Sequence, residues 1–92
     1  LMKCGSIEEA QEMIKISKSY GLKIMLGCMV ESSLGITAAA HLSSEVDYAD
    51  LDGNMLISND PYEGIKIKNG QILLNKKSGL GVTLKSNNKN LL

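Results

Sequence analysis

The chain has 92 residues, with ten lysines, no arginine and ten acidic residues, so its formal net charge is zero. A balanced charge argues against nucleic acid or an anionic membrane surface as a partner, and no apolar run approaches the ~20 residues of a membrane span. Aromatic residues make up only 3%, so the core of this one small domain must come from aliphatic side chains, which favours helices packed on a sheet.

The first predicted helix follows residues 1–4, an apolar stretch typical of the end of a strand. Ser6 precedes Glu9 by the three residues of a capping box. Apolar residues then recur at helical spacing as far as Gly21, which can adopt the left-handed conformation that ends a helix. The residues predicted to face the core are Ile7, Ala10, Met13, Ile14 and Ser17.

A second helix is predicted between two further strands. Residues 22–26 form an apolar run typical of a strand covered on both faces. Ser32 or Ser33 can cap a helix that reaches about Ser44, and residues 46–49 form the next strand. The order strand, helix, strand, helix, strand predicts two βαβ units and therefore a parallel, α/β layer.

The pattern changes after residue 57. Asn59-Asp60-Pro61 predicts a turn, and Asn69-Gly70 between residues 65–68 and 71–74 predicts a β-hairpin with a type I′ turn. We therefore divide the chain into residues 1–57, with parallel strands, and residues 58–92, with antiparallel ones. The polar residues 86–92 are expected to fray.

Three parallel strands leave open sheet edges, so we expect either more chain or a homo-oligomer that pairs these edges. The sequence begins with Leu1, and we expect it to be the carboxyl-terminal portion of a longer protein. Cys4 and Cys28 lack metal-ligand spacing, which predicts reduced, buried thiols in a cytoplasmic protein.

Carboxylates follow two of the predicted strands, where ligands bind in parallel α/β folds. Asp50 and Asp52 are two residues apart, so on a continuous strand they share one face and can jointly hold a cation; the alternative is a solvated acidic turn. Glu31 either lines a pocket or orders neighbouring groups, or it is only a carboxylate favoured by the start of a helix. His41 is predicted to be a packing or hydrogen-bonding residue. The methionines Met13, Met25, Met29 and Met55 are predicted to fill the core.

Several segments in order resemble one protein family: LMKCGSI at the start, GCMVESSLGITAAAHL from Gly27, then DLD, NDPYEG and GLGV. Together they resemble the carboxyl-terminal third of the muconate-lactonizing subgroup of the enolase superfamily, and most of all its dipeptide epimerases. The resemblance covers nearly all of residues 1–83. Three positions depart from the usual pattern: Ser6, Asn54 and Ser78.

The resemblance implies the last part of a (β/α) barrel, followed by a β-hairpin tail that returns to a capping domain. It also implies a full-length enzyme with Mg²⁺ and a dipeptide substrate, in which two lysines invert an α-carbon by proton transfer. In that family the acidic pair matching Asp50 and Asp52 binds the substrate ammonium group. Cys28 and Val30 match positions that line the pocket, and Glu31 is a further candidate for substrate binding.

By the same resemblance, the catalytic lysines and the metal carboxylates lie before residue 1, and Lys3 matches a neighbouring, non-catalytic lysine. We therefore expect this segment to contain no catalytic residue, to bind no Mg²⁺ and to be inactive alone. One alternative is a cycloisomerase or an o-succinylbenzoate synthase-like enzyme, against which the acidic pair argues because those substrates carry no ammonium group. A second alternative is a non-catalytic, oligomeric assembly module.

Overall fold

The computed structural model describes residues 1–86. Its helices and strands are α1 (Ile7–Ser19), β1 (Met25–Leu26), α2 (Ser33–Ala40), β2 (Tyr48–Ala49), β3 (Tyr62–Glu63), β4 (Lys66–Lys68), β5 (Gln71–Leu73) and β6 (Thr83–Leu84). Short 3₁₀ helices occupy Ser43–Glu45 and Gly53–Leu56. Of the residues 86–92 predicted to fray, all except Ser86 lie outside the described part. No helix within residues 1–86 has the length and apolar character needed to cross a membrane.

Helix α1 begins and ends where the sequence predicts. The Ser6 hydroxyl accepts a hydrogen bond from the Glu9 amide at 3.0 Å, which satisfies a free donor of the first turn. At the other end Gly21 has φ +70°, and the Leu22 amide donates to the Ser17 carbonyl at 3.0 Å. This is a Schellman closure, which requires the left-handed conformation that glycine adopts without steric cost.

Strands β1 and β2 pair in parallel and are connected by α2, which forms one βαβ unit. The predicted α/β class with parallel strands is therefore confirmed. Residues 1–4 form a turn rather than the end of a strand, because the Gly5 amide donates to the Leu1 carbonyl at 2.8 Å. A strand needs a neighbour for its backbone groups, and here the Leu1 carbonyl is bonded within the turn instead. The first of the two predicted βαβ units is thus incomplete within residues 1–86.

The core lies between α2, α1 and the strands. Ile36 and Leu42 are fully buried, and the alanines at the end of α2 let the backbone approach its neighbours closely. Helix α2 ends at Ala40, earlier than the predicted Ser44. The Ser43 hydroxyl donates to the Ala40 carbonyl at 2.7 Å, and this local bond replaces a further helical turn.

The prediction that the methionines fill the core is wrong. Their exposed fractions are 56% for Met13, 68% for Met25, 50% for Met29 and 64% for Met55. Met25 is the register partner of Tyr48, which is also exposed, whereas the adjacent Leu26 is buried. Since side chains alternate along a strand, Met25 and Tyr48 share a face that residues 1–86 leave uncovered, and on the opposite face only Leu26 is buried, because its partner Ala49 is exposed.

Both cysteines are free thiols, as predicted, but Cys4 and Cys28 are only half-buried. The predicted burial is therefore incomplete. For Cys28 the reason is its position in the loop beyond β1 rather than inside the sheet.

The tail is antiparallel, as predicted. Strands β4 and β5 pair around Asn69 (φ 52°) and Gly70 (φ 75°), the two positive φ angles of a type I′ turn. A second antiparallel pair, β3 with β6, was not predicted from the sequence. The tail packs on α2, where the Ile65 amide donates to the buried Thr37 hydroxyl at 3.0 Å. The division at residue 57 stays a prediction.

Candidate functional site

The two acidic residues lie just beyond the carboxyl end of β2. The Asp50 amide donates to the Leu26 carbonyl at 2.8 Å, so the parallel ladder continues one residue past the strand. Asp52 has φ −105° and ψ 5° and begins the following 3₁₀ helix, so the extended backbone assumed for the pair does not reach it. Burial nevertheless alternates, because Leu51 is buried and both carboxylates are exposed. The pair therefore faces solvent at the strand end.

The loop after β1 contacts the loop after β2. The Cys28 thiol donates a weak hydrogen bond to Oδ1 of Asp52, with a sulfur to oxygen distance of 4.0 Å. Gly53 lies directly against the same loop, since a Cβ atom at this position would be 2.0 Å from the Met29 carbonyl oxygen. Only glycine permits this approach. The structure thus brings the Cys28 thiol and the Asp52 carboxylate into contact.

Glu31 turns back toward its own loop. Its Oε2 accepts a hydrogen bond from the Met29 amide at 3.2 Å, and its Oε1 lies close to Gly35 in the first turn of α2. The Glu31 carboxylate therefore has two of the roles expected from the sequence. It orders the loop, and it lies near the positive end of α2. Val30 is 63% exposed.

An open, mostly apolar cleft of about 400 Å³ lies between α1, β1 and α2. Its lining includes Lys3, Ala10, Ile24, Cys28, Glu31 and Ala39. Asp50, Asp52 and Val30 do not line it. The five residues predicted for the site therefore divide into two groups: Cys28 and Glu31 reach the cleft, and the others lie outside it.

A polar network that the sequence did not predict links the segment after Asp52 to α2. Both carboxylate oxygens of Asp60 accept from the Ser33 amide, at 3.1 and 3.0 Å, and the Ser33 hydroxyl donates to Oδ2. The Tyr62 amide donates to Oδ1 at 3.1 Å. The Ser32 side chain makes no capping hydrogen bond. The cap predicted from Ser32 or Ser33 is thus supplied by Asp60, which is remote in the sequence and carries no local signal beyond the turn at Pro61.

The environment of Asp60 favours its ionised form. Burial raises the pKa of the carboxyl, but the hydrogen bonds from the Ser33 hydroxyl, the Ser33 amide and the Tyr62 amide lower it, as does the nearby charge of Lys85. The net effect is a pKa below the ordinary value of 3.8. Asp60 therefore caps α2 as a carboxylate at neutral pH.

The remaining candidate residues have structural roles. Nε2 of His41 lies 2.8 Å from the Leu80 carbonyl oxygen and must donate, since a carbonyl only accepts. This confirms the predicted hydrogen-bonding role. Among residues 1–86 no three histidine, cysteine, aspartate or glutamate side chains come together in a way that could hold a metal ion. The described residues do not by themselves fit a magnesium site.

Comparison with known proteins relates this geometry to dipeptide epimerases. The chain is 49% identical over 82 residues to the L-Ala-D/L-Glu epimerase of Bacteroides thetaiotaomicron, covering 89% of this chain and 21% of that protein. Its structure is similar to a dipeptide epimerase from Methylococcus capsulatus complexed with Mg, with a TM-score of 0.85 and 33% identity over 91% of this chain and 26% of that one. A dipeptide epimerase from Cytophaga hutchinsonii complexed with Mg and D-Ala-L-Val gives 0.78 and 29%, over 87% and 23%.

The chain thus spans about a fifth to a quarter of the length of these relatives. The family described as Enolase C-terminal domain-like matches residues 1–88, which is nearly the whole sequence. The match agrees with the parallel β1–α2–β2 unit. The resemblance seen in the sequence is therefore confirmed: this chain belongs to the enolase C-terminal domain-like family.

Proposed function

We propose that this chain is part of a dipeptide epimerase of the muconate-lactonizing subgroup and supplies the subsite for the substrate ammonium group. The observation that carries the proposal is the placement of Asp50 and Asp52. Both carboxylates are exposed just past the carboxyl end of a parallel strand, and Asp52 contacts Cys28 from the neighbouring strand end. Ligands bind at this edge in parallel α/β folds.

Two carboxylates suit an ammonium group because each can accept a charge-assisted hydrogen bond from it. Such contacts fix the amino end of a dipeptide and hold its α-carbon in one place relative to the groups that exchange its proton. In this proposal those groups are two lysines outside residues 1–86. Mg²⁺ belongs to the complete enzyme with ligands from outside the described residues, and the 92-residue chain alone does not epimerise dipeptides.

Three further residues shape the subsite in this proposal. Cys28 donates to Asp52 and so limits the orientations of that carboxylate. Glu31 orders the loop after β1 through the Met29 amide. Val30 presents an apolar, exposed side chain and contributes shape rather than charge.

The test is a chimera in which this chain replaces the matching region of the Bacteroides thetaiotaomicron epimerase. Asp52→Asn should lower kcat/KM for L-Ala-L-Glu by about tenfold or more, since a hydrogen bond to a charged group contributes about 1.5–3 kcal/mol. Glu63→Gln, a change at an exposed carboxylate on β3, is the matched control and should leave the kinetics unchanged. Equal activity of the Asp52→Asn and parent chimeras would remove the basis of the substrate assignment.

The cycloisomerase and o-succinylbenzoate synthase-like alternative predicts another outcome. Substrates of that kind carry no ammonium group, so their turnover by the chimera should be insensitive to Asp52→Asn. A chimera that turns over only such substrates would favour the alternative.

The assembly-module alternative has one supporting observation. Met25 and Tyr48 are exposed on a sheet face that residues 1–86 leave uncovered, and β1 and β2 pair only with each other within that range. Light scattering of the 92-residue chain tests it. A dimer or higher oligomer supports edge pairing, and a monomer with a sharp unfolding transition contradicts it.

A further inference from the structure

The segment that carries Asp52 is attached to α2 by the side chain of Asn54. Nδ2 of Asn54 donates to the Ser33 hydroxyl oxygen at 3.1 Å. Because that hydroxyl uses its proton to donate to Asp60, it can only accept from Asn54. The direction of both hydrogen bonds is therefore determined, from Asn54 through Ser33 to the Asp60 carboxylate.

Asp60 is the last acceptor in this chain of hydrogen bonds, and its own position is held by further contacts. Its carboxylate also accepts from the Tyr62 amide in β3, and β3 pairs with β6. The Lys85 amide, just after β6, donates to the Pro61 carbonyl at 2.8 Å. Asp60 is thus anchored to the tail on one side and to the first turn of α2 on the other.

The side chain of Asn54 lowers the stability of the fold at this position. Its Oδ1 is buried and finds no hydrogen-bond partner within residues 1–86. A buried amide oxygen without a partner destabilises a fold. The side chain is therefore better explained by what its Nδ2 holds in place.

The two residues that follow Asp52 are both held in place. Gly53, the next residue, packs against the Met29 carbonyl, and Asn54 follows it. The Asp52 carbonyl accepts from the Met55 amide at 2.9 Å, which closes the 3₁₀ turn around these residues. Movement of Asn54 away from Ser33 would open this turn and displace Asp52.

We propose that Asn54, Ser33 and Asp60 form a relay that positions Asp52 for the substrate ammonium group, so that the tail controls the geometry of a site to which it contributes no contact. Its consequence for catalysis rests on the proposed function above. The three are positioning residues, since they act through Asp52.

Amide hydrogen exchange of the 92-residue chain tests the relay without any assumption about activity. Asn54→Ala and Ser33→Ala should each speed exchange of the Met55 amide by about tenfold, because they free the turn that this amide closes. Exchange of the Asp50 amide, which is bonded to Leu26, should change by less than about twofold. Ser32→Ala is the matched control, because the Ser32 side chain makes no capping bond.

Either of two results would overturn the relay. Exchange of the Met55 amide at the parent rate in both variants would show that the turn does not depend on Ser33 or Asn54. An equal rise in the exchange rates of the Asp50 and Met55 amides would show general loosening of the fold rather than local positioning.

The chimera described above tests the catalytic consequence by a double-mutant cycle. Asn54→Ala should lower kcat/KM for L-Ala-L-Glu by about tenfold, mainly through KM, and by less than about twofold when Asp52→Asn is already present. Independent, multiplying effects would contradict action through Asp52. If Asp52→Asn alone has no effect, the proposed function fails, and the exchange experiment still decides whether the relay exists.

Discussion

Replacing Asp60 with alanine should destabilise the chain more than any other single change at an exposed or half-buried carboxylate. The substitution removes the acceptors of the Ser33 amide, the Ser33 hydroxyl and the Tyr62 amide at once. Loss of a helix cap costs about 0.5–2 kcal/mol, and hydrogen bonds to a charged group are worth about 1.5–3 kcal/mol. Since Asp60 is only half-buried, water replaces part of the loss, and we expect about 2 kcal/mol.

Thermal unfolding followed by circular dichroism measures this loss. About 2 kcal/mol corresponds to a decrease in Tm of roughly 8–16 °C for a domain of this size. Asp60→Asn keeps one carbonyl oxygen and should lose about half as much. Ser32→Ala is the control and should change the free energy of unfolding by no more than about 0.5 kcal/mol.

The stability that the Asp60 carboxylate contributes should also depend on pH, and it should decrease as the pH falls. Because the pKa of Asp60 is lower in the folded chain than its ordinary value of 3.8, its carboxylate stabilises the fold above about pH 4. This contribution disappears as the pH falls through the folded pKa. The difference in Tm between the parent chain and Asp60→Asn should therefore be full at about pH 7 and should shrink toward about pH 2.5. A difference below about 0.5 kcal/mol at pH 7, or one independent of pH, would refute the capping argument.

Two further substitutions test other contacts. Gly53→Ala places a Cβ 2.0 Å from the Met29 carbonyl oxygen and should cost about 1–3 kcal/mol in chemical denaturation. Gly27→Ala is its control, since the added Cβ would meet only a methionine methyl at 4.0 Å; equal losses would contradict the close approach. His41→Ala removes the bond to the Leu80 carbonyl and should cost about 0.5–1.5 kcal/mol by thermal unfolding, with the largest rise in amide exchange near that turn. A uniform rise in amide exchange across the chain would contradict a local role for the hydrogen bond between His41 and Leu80.

Part of the candidate site could be predicted from the sequence. Asp50 and Asp52 follow an apolar strand, and in a parallel layer that position alone puts them at the edge where ligands bind. The contact between Cys28 and Asp52, and the fit of Gly53 against Met29, could not be predicted in this way. Both depend on how closely two loops approach, which the strand pattern does not determine.

The methionines show that the spacing of apolar residues does not by itself predict which of them are buried. Helical and strand spacing identifies which side chains share a face, as it does for Ala10 and Ile14 of α1, which are buried. Spacing does not say whether another layer covers that face. Met25 and Tyr48 lie on one face of the β1–β2 pair that residues 1–86 leave open, so apolar character did not lead to burial.

The sequence by itself determined the features that neighbouring residues decide. The Ser6 cap, the left-handed Gly21 and the turn at Asn69-Gly70 each depend on the local backbone and its own side chains. Only the tertiary structure decided that Asp60 caps α2 and that Asn54 reaches Ser33. These partners are 27 and 21 residues apart, and a hydrogen bond over such a separation forms only after packing has brought two elements together.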